Sequence, residues 1–187
     1  MVKSLLISFL IVLLPYGLSH ASDARSASNE YRTANKLFAS AQFRDALSLY
    51  QKLLVSPPEG VPVSDIHTRI GDSFFRLGYF NNALDAYRIA IKDQKESARP
   101  ETQYWIGFCC FLLGRDAEAL SEFLKIPELY PASGMWVGTA YYWAGRACER
   151  MGRTGDAAEY YRRAGGNGRS TQGRFALKKA EAVKGNK

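Results

Sequence analysis

A pattern that returns every 36 to 38 residues constrains this chain more than any other feature. Small residues stand at Ala34, Gly71, Gly107 and Gly145, spaced 37, 36 and 38 apart. Twelve residues after each anchor comes an alanine: Ala46, Ala83, Ala119 or Ala157. Four further on comes an aromatic (Tyr50, Tyr87, Phe123, Tyr161), and three beyond that Leu53, Ala90, Ile126 or Ala164. Self-similarity at a fixed period is the signature of a repeat architecture. Apolar residues three after each anchor (Leu37, Phe74, Cys110, Cys148) make the first segment an amphipathic helix. Seven after each anchor lies Ala41, Gly78, Gly114 or Gly152, and glycine ends a helix there because it tolerates the left-handed cap. The later steps of four and three mark one face of a second helix. Small residues at the anchor and at plus twelve let the two helices approach closely, and the aromatic fills the remaining gap. Such a hairpin cannot bury its apolar face alone, so four of them must stack into a continuous core. The predicted fold class is all-α: a solenoid of four hairpins.

The segments at residues 70–91 (IGDSFFRLGYFNNALDAYRIAI), 106–126 (IGFCCFLLGRDAEALSEFLKI) and 144–164 (AGRACERMGRTGDAAEYYRRA), with a weaker unit at 33–54, resemble the tetratricopeptide repeat (TPR) family. The resemblance covers residues 29–164. It implies a superhelix whose first helices line a concave groove. The units are expected at about 29–57, 64–95, 100–131 and 138–164. Gly165, Gly166 and Gly168 then break the chain, and residues 170–183 read as a capping helix, with Phe175, Ala176, Ala180 and Val183 able to face the last repeat. The period exceeds the usual ~34 residues, the extra length falling between units at 56–64, 93–100 and 130–134. Pro127 is predicted to end its helix early. Tyr104-Trp105-Ile106-Gly107 and Tyr142-Trp143-Ala144-Gly145 also resemble periplasmic proteins associated with the Tol-Pal system and, more loosely, the repeat lipoprotein of outer-membrane barrel assembly. That resemblance implies a place in bacterial cell-envelope assembly or maintenance.

The N-terminus has the layout of an export signal. Lys3 precedes an apolar run at 5–14 (LLISFLIVLL), Pro15, Gly17 and Ser19 are expected to break the helix, and Ser19-His20-Ala21 offers small residues to a signal peptidase. Residues 1–21 are read as a signal peptide and 22–28 as a flexible mature N-terminus. Ten apolar residues are short for a spanning helix, which needs ~20, although an uncleaved anchor is the alternative. The expected location is outside the cytoplasm, periplasmic or secreted, with no transmembrane segment after cleavage.

Little in the chain marks out catalysis, and no cofactor or metal is expected. Beyond the signal there is one histidine, His67, read as a packing residue. No Gly-rich phosphate loop and no CxxC pair occur. Cys110 and Cys148 should point into the core as buried thiols or, across neighbouring repeats, as a disulfide, while Cys109 lies one position round and is expected to be partly exposed. A catalytic role is not expected.

The concave face is the functional candidate that the family resemblance points to. The groove positions fall three before, one after, and four or five after each anchor. They give Tyr31, Asn35, Phe38 and Ala39; Thr68, Asp72, Phe75 and Arg76; Tyr104, Phe108, Phe111 and Leu112; and Tyr142, Arg146, Glu149 and Arg150. Seven of the sixteen are aromatic against 13% in the whole chain, which suits an extended peptide or a partner helix. The partner-binding set is Tyr31, Asn35, Phe38, Phe75, Arg76, Tyr104, Phe108, Phe111, Tyr142, Arg146 and Arg150. The third unit is expected to be its apolar centre and Arg76, Arg146 and Arg150 its polar rim. Lysines and asparagines of the family's carboxylate clamp are matched only at Asn35, so a chaperone tail is a poor candidate. The formal charge of +7 is concentrated in residues 146–187, which carry eleven Lys/Arg and four Asp/Glu. This offers an alternative dock for an acidic partner or an anionic envelope surface, whereas nucleic acid is not expected after export. An accessory subunit with cysteine chemistry is the remaining alternative.

Overall fold

A computed structural model describes residues 16–166 and 171–185. Helices follow one another in pairs: α1 (Tyr16–Ala39) with α2 (Phe43–Leu53), α3 (Val63–Arg76) with α4 (Phe80–Asp93), α5 (Arg99–Leu112) with α6 (Asp116–Leu129), and α7 (Gly134–Arg150) with α8 (Thr154–Gly165). A last helix, α9 (Thr171–Gly185), packs on α8, and a short 3-10 turn (Glu96–Ala98) leads into α5. No strand occurs among the described residues. Each helix packs chiefly on its neighbours in sequence, and α5 also touches α7, as stacked hairpins require.

The repeat positions explain the stack. Of the sixteen core positions, all are buried except Ala164, which is half-buried. The anchor glycines do more than leave room. A Cβ built on Gly71, Gly107 or Gly145 would lie 2.7 to 2.8 Å from the ring of Tyr87, Phe123 or Tyr161. The aromatic of the second helix therefore rests directly on the backbone of the first. In unit one Ala34 holds this place against Tyr50, whose hydroxyl donates to Asn35 Oδ1 at 2.7 Å. Tyr87 does the same to Asp72 Oδ1 at 2.8 Å, and Tyr161 donates to Glu149 Oε2. Unit three has no such hydroxyl: Phe123 replaces the tyrosine, and Phe108 stands where Asn35 and Asp72 stand.

The turn inside each hairpin is built four times in the same way. The residue after the turn donates its N–H five residues back: Gln42 to Leu37, Tyr79 to Phe74, Arg115 to Cys110 and Arg153 to Cys148, at 2.8 to 2.9 Å. The residue in the bend has positive φ, 80°, 76° and 73° at Gly78, Gly114 and Gly152. Ala41 does the same work at φ 60°, with a methyl group that the left-handed region disfavours.

Several expectations change. Residues 22–28, read as flexible, lie inside α1, as do Gly17 and Ser19. Ala27, Tyr31 and Ala34, spaced four and three apart, extend the buried stripe of the first helix, with Ala27 and Ala34 in the core. The apolar run at 5–14 falls outside the described residues. Pro127 does not end α6 early. It sits in the last turn, where one missing N–H removes one bond, and the ladder resumes with Tyr130 N–H donating to Ile126 O at 2.9 Å. Cys109 is fully buried, not partly exposed, because the close packing of α5 between α6 and the neighbouring hairpins covers this side of the helix as well. Phe175 is exposed, with its ring 6.1 Å from that of Tyr142 in the last repeat, while Ala176, Ala180 and Val183 seal the end of the stack.

Candidate functional site

The inner helices α1, α3, α5 and α7 carry the expected groove residues, but the groove differs between its halves. Toward the C-terminus its rings pack on one another. Phe108 stacks on Tyr104 (5.7 Å between centroids) and meets Trp143 edge-on at 4.6 Å. Tyr104 reaches Trp136 at 5.3 Å, and Tyr142 lies against Trp143, Tyr161 and Phe175. Burial pushes the Tyr104 hydroxyl up to about 12. Phe111, expected as a contact residue, is only 7% exposed. The Arg150 guanidinium lies 4.3 Å over its ring, donates to Phe111 O at 2.8 Å and pairs with Asp116 at 3.2 Å. Arg150 is thus a strut from α7 to α5 and α6, not a free rim charge. Arg146 lies beside Glu149 at 3.5 Å and over the Trp143 ring. The third unit is therefore the aromatic centre that was expected, but as packed interior more than open surface.

Toward the N-terminus the groove stays open. Two adjoining cavities, about 250 and 210 Å³, lie between α1, α3 and α5 and share Asp72, Glu101 and Trp105 as walls. The first is further lined by Tyr31, Asp65, Arg69, Gln94 and Thr102, the second by Phe38, Phe75 and Arg76. Of the expected set, Tyr31, Phe38, Phe75 and Arg76 thus meet at one place. Asn35 is spent on Tyr50, and Phe38 is braced edge-on by Phe43 at 5.2 Å. Arg76 is exposed, has no carboxylate partner among the described residues, and sits 5.0 Å over the Phe43 ring.

The electrostatics are unusual for a groove in so basic a chain. Asp72 accepts from Tyr87 and lies 3.4 Å from Arg69, yet burial, reinforced by the nearby Glu101, keeps its carboxyl above the usual range. Its proton partner responds in kind: burial first, then the Asp72 charge, push the Tyr87 hydroxyl up. Asp65 and Glu101, each six residues before an anchor, are exposed and have no ion-pair partner among the described residues. Three carboxylates therefore surround cavities containing one exposed, paired Arg69 and one outlying Arg76.

Sequence reasoning missed Trp105, Asp65 and Glu101. Trp105 could have been found, because it stands three before Phe108 and so shares its helical stripe. Nothing local marks the two carboxylates.

Part of the basic end is paired locally. Arg153 pairs with Asp156 at 2.7 Å, Arg162 and Arg163 share Glu159, and Lys179 reaches Glu149 at 3.2 Å. The cysteines are free and buried. Burial, reinforced by the adjacent Cys110, pushes the Cys109 thiol up to about 12, and burial together with Glu118 takes Cys110 to about 11. Cys148 is likewise raised by burial. Thiols of this kind are poor nucleophiles. His67 is half-buried, and burial lowers its pKa, in keeping with a packing residue. No cluster of potential metal ligands and no helix long and apolar enough to cross a membrane occurs among the described residues.

Comparison with known proteins agrees with this architecture. No curated protein sequence matches significantly. The solved structure of MamA superposes with a TM-score of 0.60 at 19% identity, over 82% of this chain and 95% of its own. YrrB, described as a TPR protein with an unusual peptide-binding site, gives 0.66 at 22% identity over 86% and 78%. A TPR protein from Parabacteroides merdae gives 0.71 at 16% identity, over 87% of this chain and 61% of its own. Models of the tetratricopeptide repeat match residues 68–134 and 138–164, together half of the chain. With hairpin spacing, turn geometry and family models in agreement, this chain belongs to the tetratricopeptide repeat family.

Proposed function

We propose that this chain is an exported, non-catalytic TPR scaffold that binds a protein or peptide partner through its concave groove, in assembly or maintenance of the bacterial cell envelope. The observation that carries the binding role is the pair of adjoining cavities on the inner helices, where Tyr31, Phe38, Phe75 and Trp105 present half-buried rings around an opening. Aromatic walls give an extended chain large contact area at low entropic cost. The same fold in YrrB carries a peptide-binding site, which supports the reading. Export rests on the charged start, apolar run and small residues that end at Ala21, and the envelope role on the Tyr-Trp-x-Gly segments that end at Gly107 and Gly145.

A photo-crosslinking amino acid placed at Phe38 or Phe75 tests the binding role in the producing cell, with Ile89 on the outer helix α4 as control. The expected result is an adduct of one size from both groove positions and none from Ile89. Adducts from Lys178 at the basic end, with none from the groove, would overturn the reading in favour of the acidic-partner dock. Fractionation and intact mass test export: a chain beginning at Ser22 outside the cytoplasm is expected, and a full-length cytoplasmic chain would refute it.

A further inference from the structure

The cavities between α1, α3 and α5 have a chemistry that narrows the ligand. Asp65, Asp72 and Glu101 bring three carboxylates to them, and Trp105 walls both. Gln94 lines the first cavity at only 6% exposure. Its amide orientation is dictated by its neighbour. Thr68 Oγ1 donates its single proton to Ser64 O at 2.9 Å, so it can only accept from Gln94, whose Nε2 lies 2.8 Å away. That leaves Gln94 Oε1, a buried acceptor with no hydrogen-bond partner among the described residues. Buried acceptors in folded proteins are nearly always paired. The unmet demands point one way: Asp65 and Glu101 have no ion-pair partner among the described residues, Gln94 Oε1 has no donor, and an indole wall stands beside them.

Resting on the groove reading above, we propose that these cavities form a subsite for an arginine side chain of an extended partner peptide. A guanidinium carries five N–H donors in a plane and no acceptor. It can fork onto the carboxylate of Glu101 or Asp72 and lie against an indole face, and its N–H reaches the enclosed Gln94 Oε1 once that side chain turns toward the cavity. Arg69, already engaged with Asp72, lines the first cavity, and exposed Arg76 at the second favours an acidic or neutral residue beside the arginine.

The test uses the full chain, with the Trp105 indole N–H signal followed by NMR during titration. The probes are a capped hexapeptide of alternating arginine and alanine, the same peptide with citrulline for arginine, the same with glutamate, and spermidine. The expected result is that the arginine peptide shifts Trp105 and binds at least tenfold more tightly than the citrulline peptide. The Asp72→Asn/Glu101→Gln variant, which keeps the acceptor for Tyr87 and changes an exposed side chain, should lose at least fivefold of that affinity. Equal binding of the arginine and citrulline peptides, or an unchanged affinity in the variant, overturns the arginine subsite while leaving the groove as a peptide site. Tighter binding of the glutamate peptide does the same. Saturation by spermidine at the arginine peptide's concentration overturns the peptide as source and assigns the cavities to a small free cation. Absence of any shift with every probe overturns the subsite and removes support from the groove reading as well.

Discussion

The two halves of the concave face are built from equivalent positions and come out differently. In the half formed by α1, α3 and the start of α5, the residue after the anchor is Asn35 or Asp72, each accepting from a tyrosine hydroxyl beneath it. On α5 that residue is Phe108, over a phenylalanine that has no hydroxyl to satisfy; on α7 it is Arg146, and the Tyr161 hydroxyl donates to Glu149 instead. In unit three, one polar-to-apolar exchange in each layer, at Phe108 and at Phe123, puts stacked rings where units one and two keep an acceptor. The comparison teaches that a TPR groove is not uniformly a binding surface. A ring at a groove position joins the interior when neighbouring repeats supply Trp143 and Trp136 to cover it, and borders an opening when they do not.

The largest effect that can break this comparison is on stability. Phe108→Ala removes a ring that touches Tyr104, Phe111 and Trp143, and should cost roughly 2–4 kcal/mol in urea unfolding. Phe38→Ala, in the open half, should cost about 1 kcal/mol or less. Equal losses at the two positions would dissolve the distinction between packed and open halves. Next in size is Gly107→Ala. Its Cβ would lie 2.8 Å from the enclosed Phe123 ring, and overpacking of this kind should destabilise by about 1–3 kcal/mol. An unchanged midpoint would show that the hairpin can open to admit a methyl group.

A gain is expected at Ala41. Replacing it with glycine relieves a left-handed alanine and should stabilise by about 0.5–1 kcal/mol, read as a higher unfolding midpoint with unchanged slope. The thiols offer a smaller and simpler reading. Native protein should leave Cys109, Cys110 and Cys148 unreacted with a thiol reagent at pH 8, and all three should react once the chain is unfolded. Smallest is the pH response of Asp72. Its carboxyl is raised in the folded state, so the folded chain holds the proton more firmly and stability falls as pH climbs from about 4 through the folded pKa. Asp72→Asn keeps the acceptor for Tyr87, as Asn35 does for Tyr50, and should flatten stability across that window. A slope that persists in the variant would assign it elsewhere.

The fold was legible because a repeat states each structural demand four times. Anchor, alanine, aromatic and turn glycine each recur at fixed offsets, and the burial of nearly all of them follows. The site was legible in part. Tyr31, Phe38 and Phe75 could be placed on the inner face from the helical period alone. Phe111 and Arg150 could not be sorted correctly, because their contact joins residues 39 apart and depends on the angle between hairpins. Asp65 and Glu101 escaped for the same reason: each is an ordinary exposed acid on its own helix. The approach of α3 to α5 brings Glu101 beside Asp72, while Asp65 lies two turns before Asp72 on α3 itself.

The first hairpin's left-handed alanine has a consequence for motion. In a stack held by nearest-neighbour contacts, the end unit has one interface where inner units have two, and here it also carries the strained turn. Amide hydrogen exchange should therefore show α1 and α2 opening at lower free energy than α5 and α6. Because Tyr31 and Phe38 wall the cavities, each opening dismantles half of the pocket, and any ligand seated there must by mass action hold the hairpin shut. Occupancy would then be written in the exchange rates of the whole first hairpin, α2 included, beyond the residues that wall the cavities.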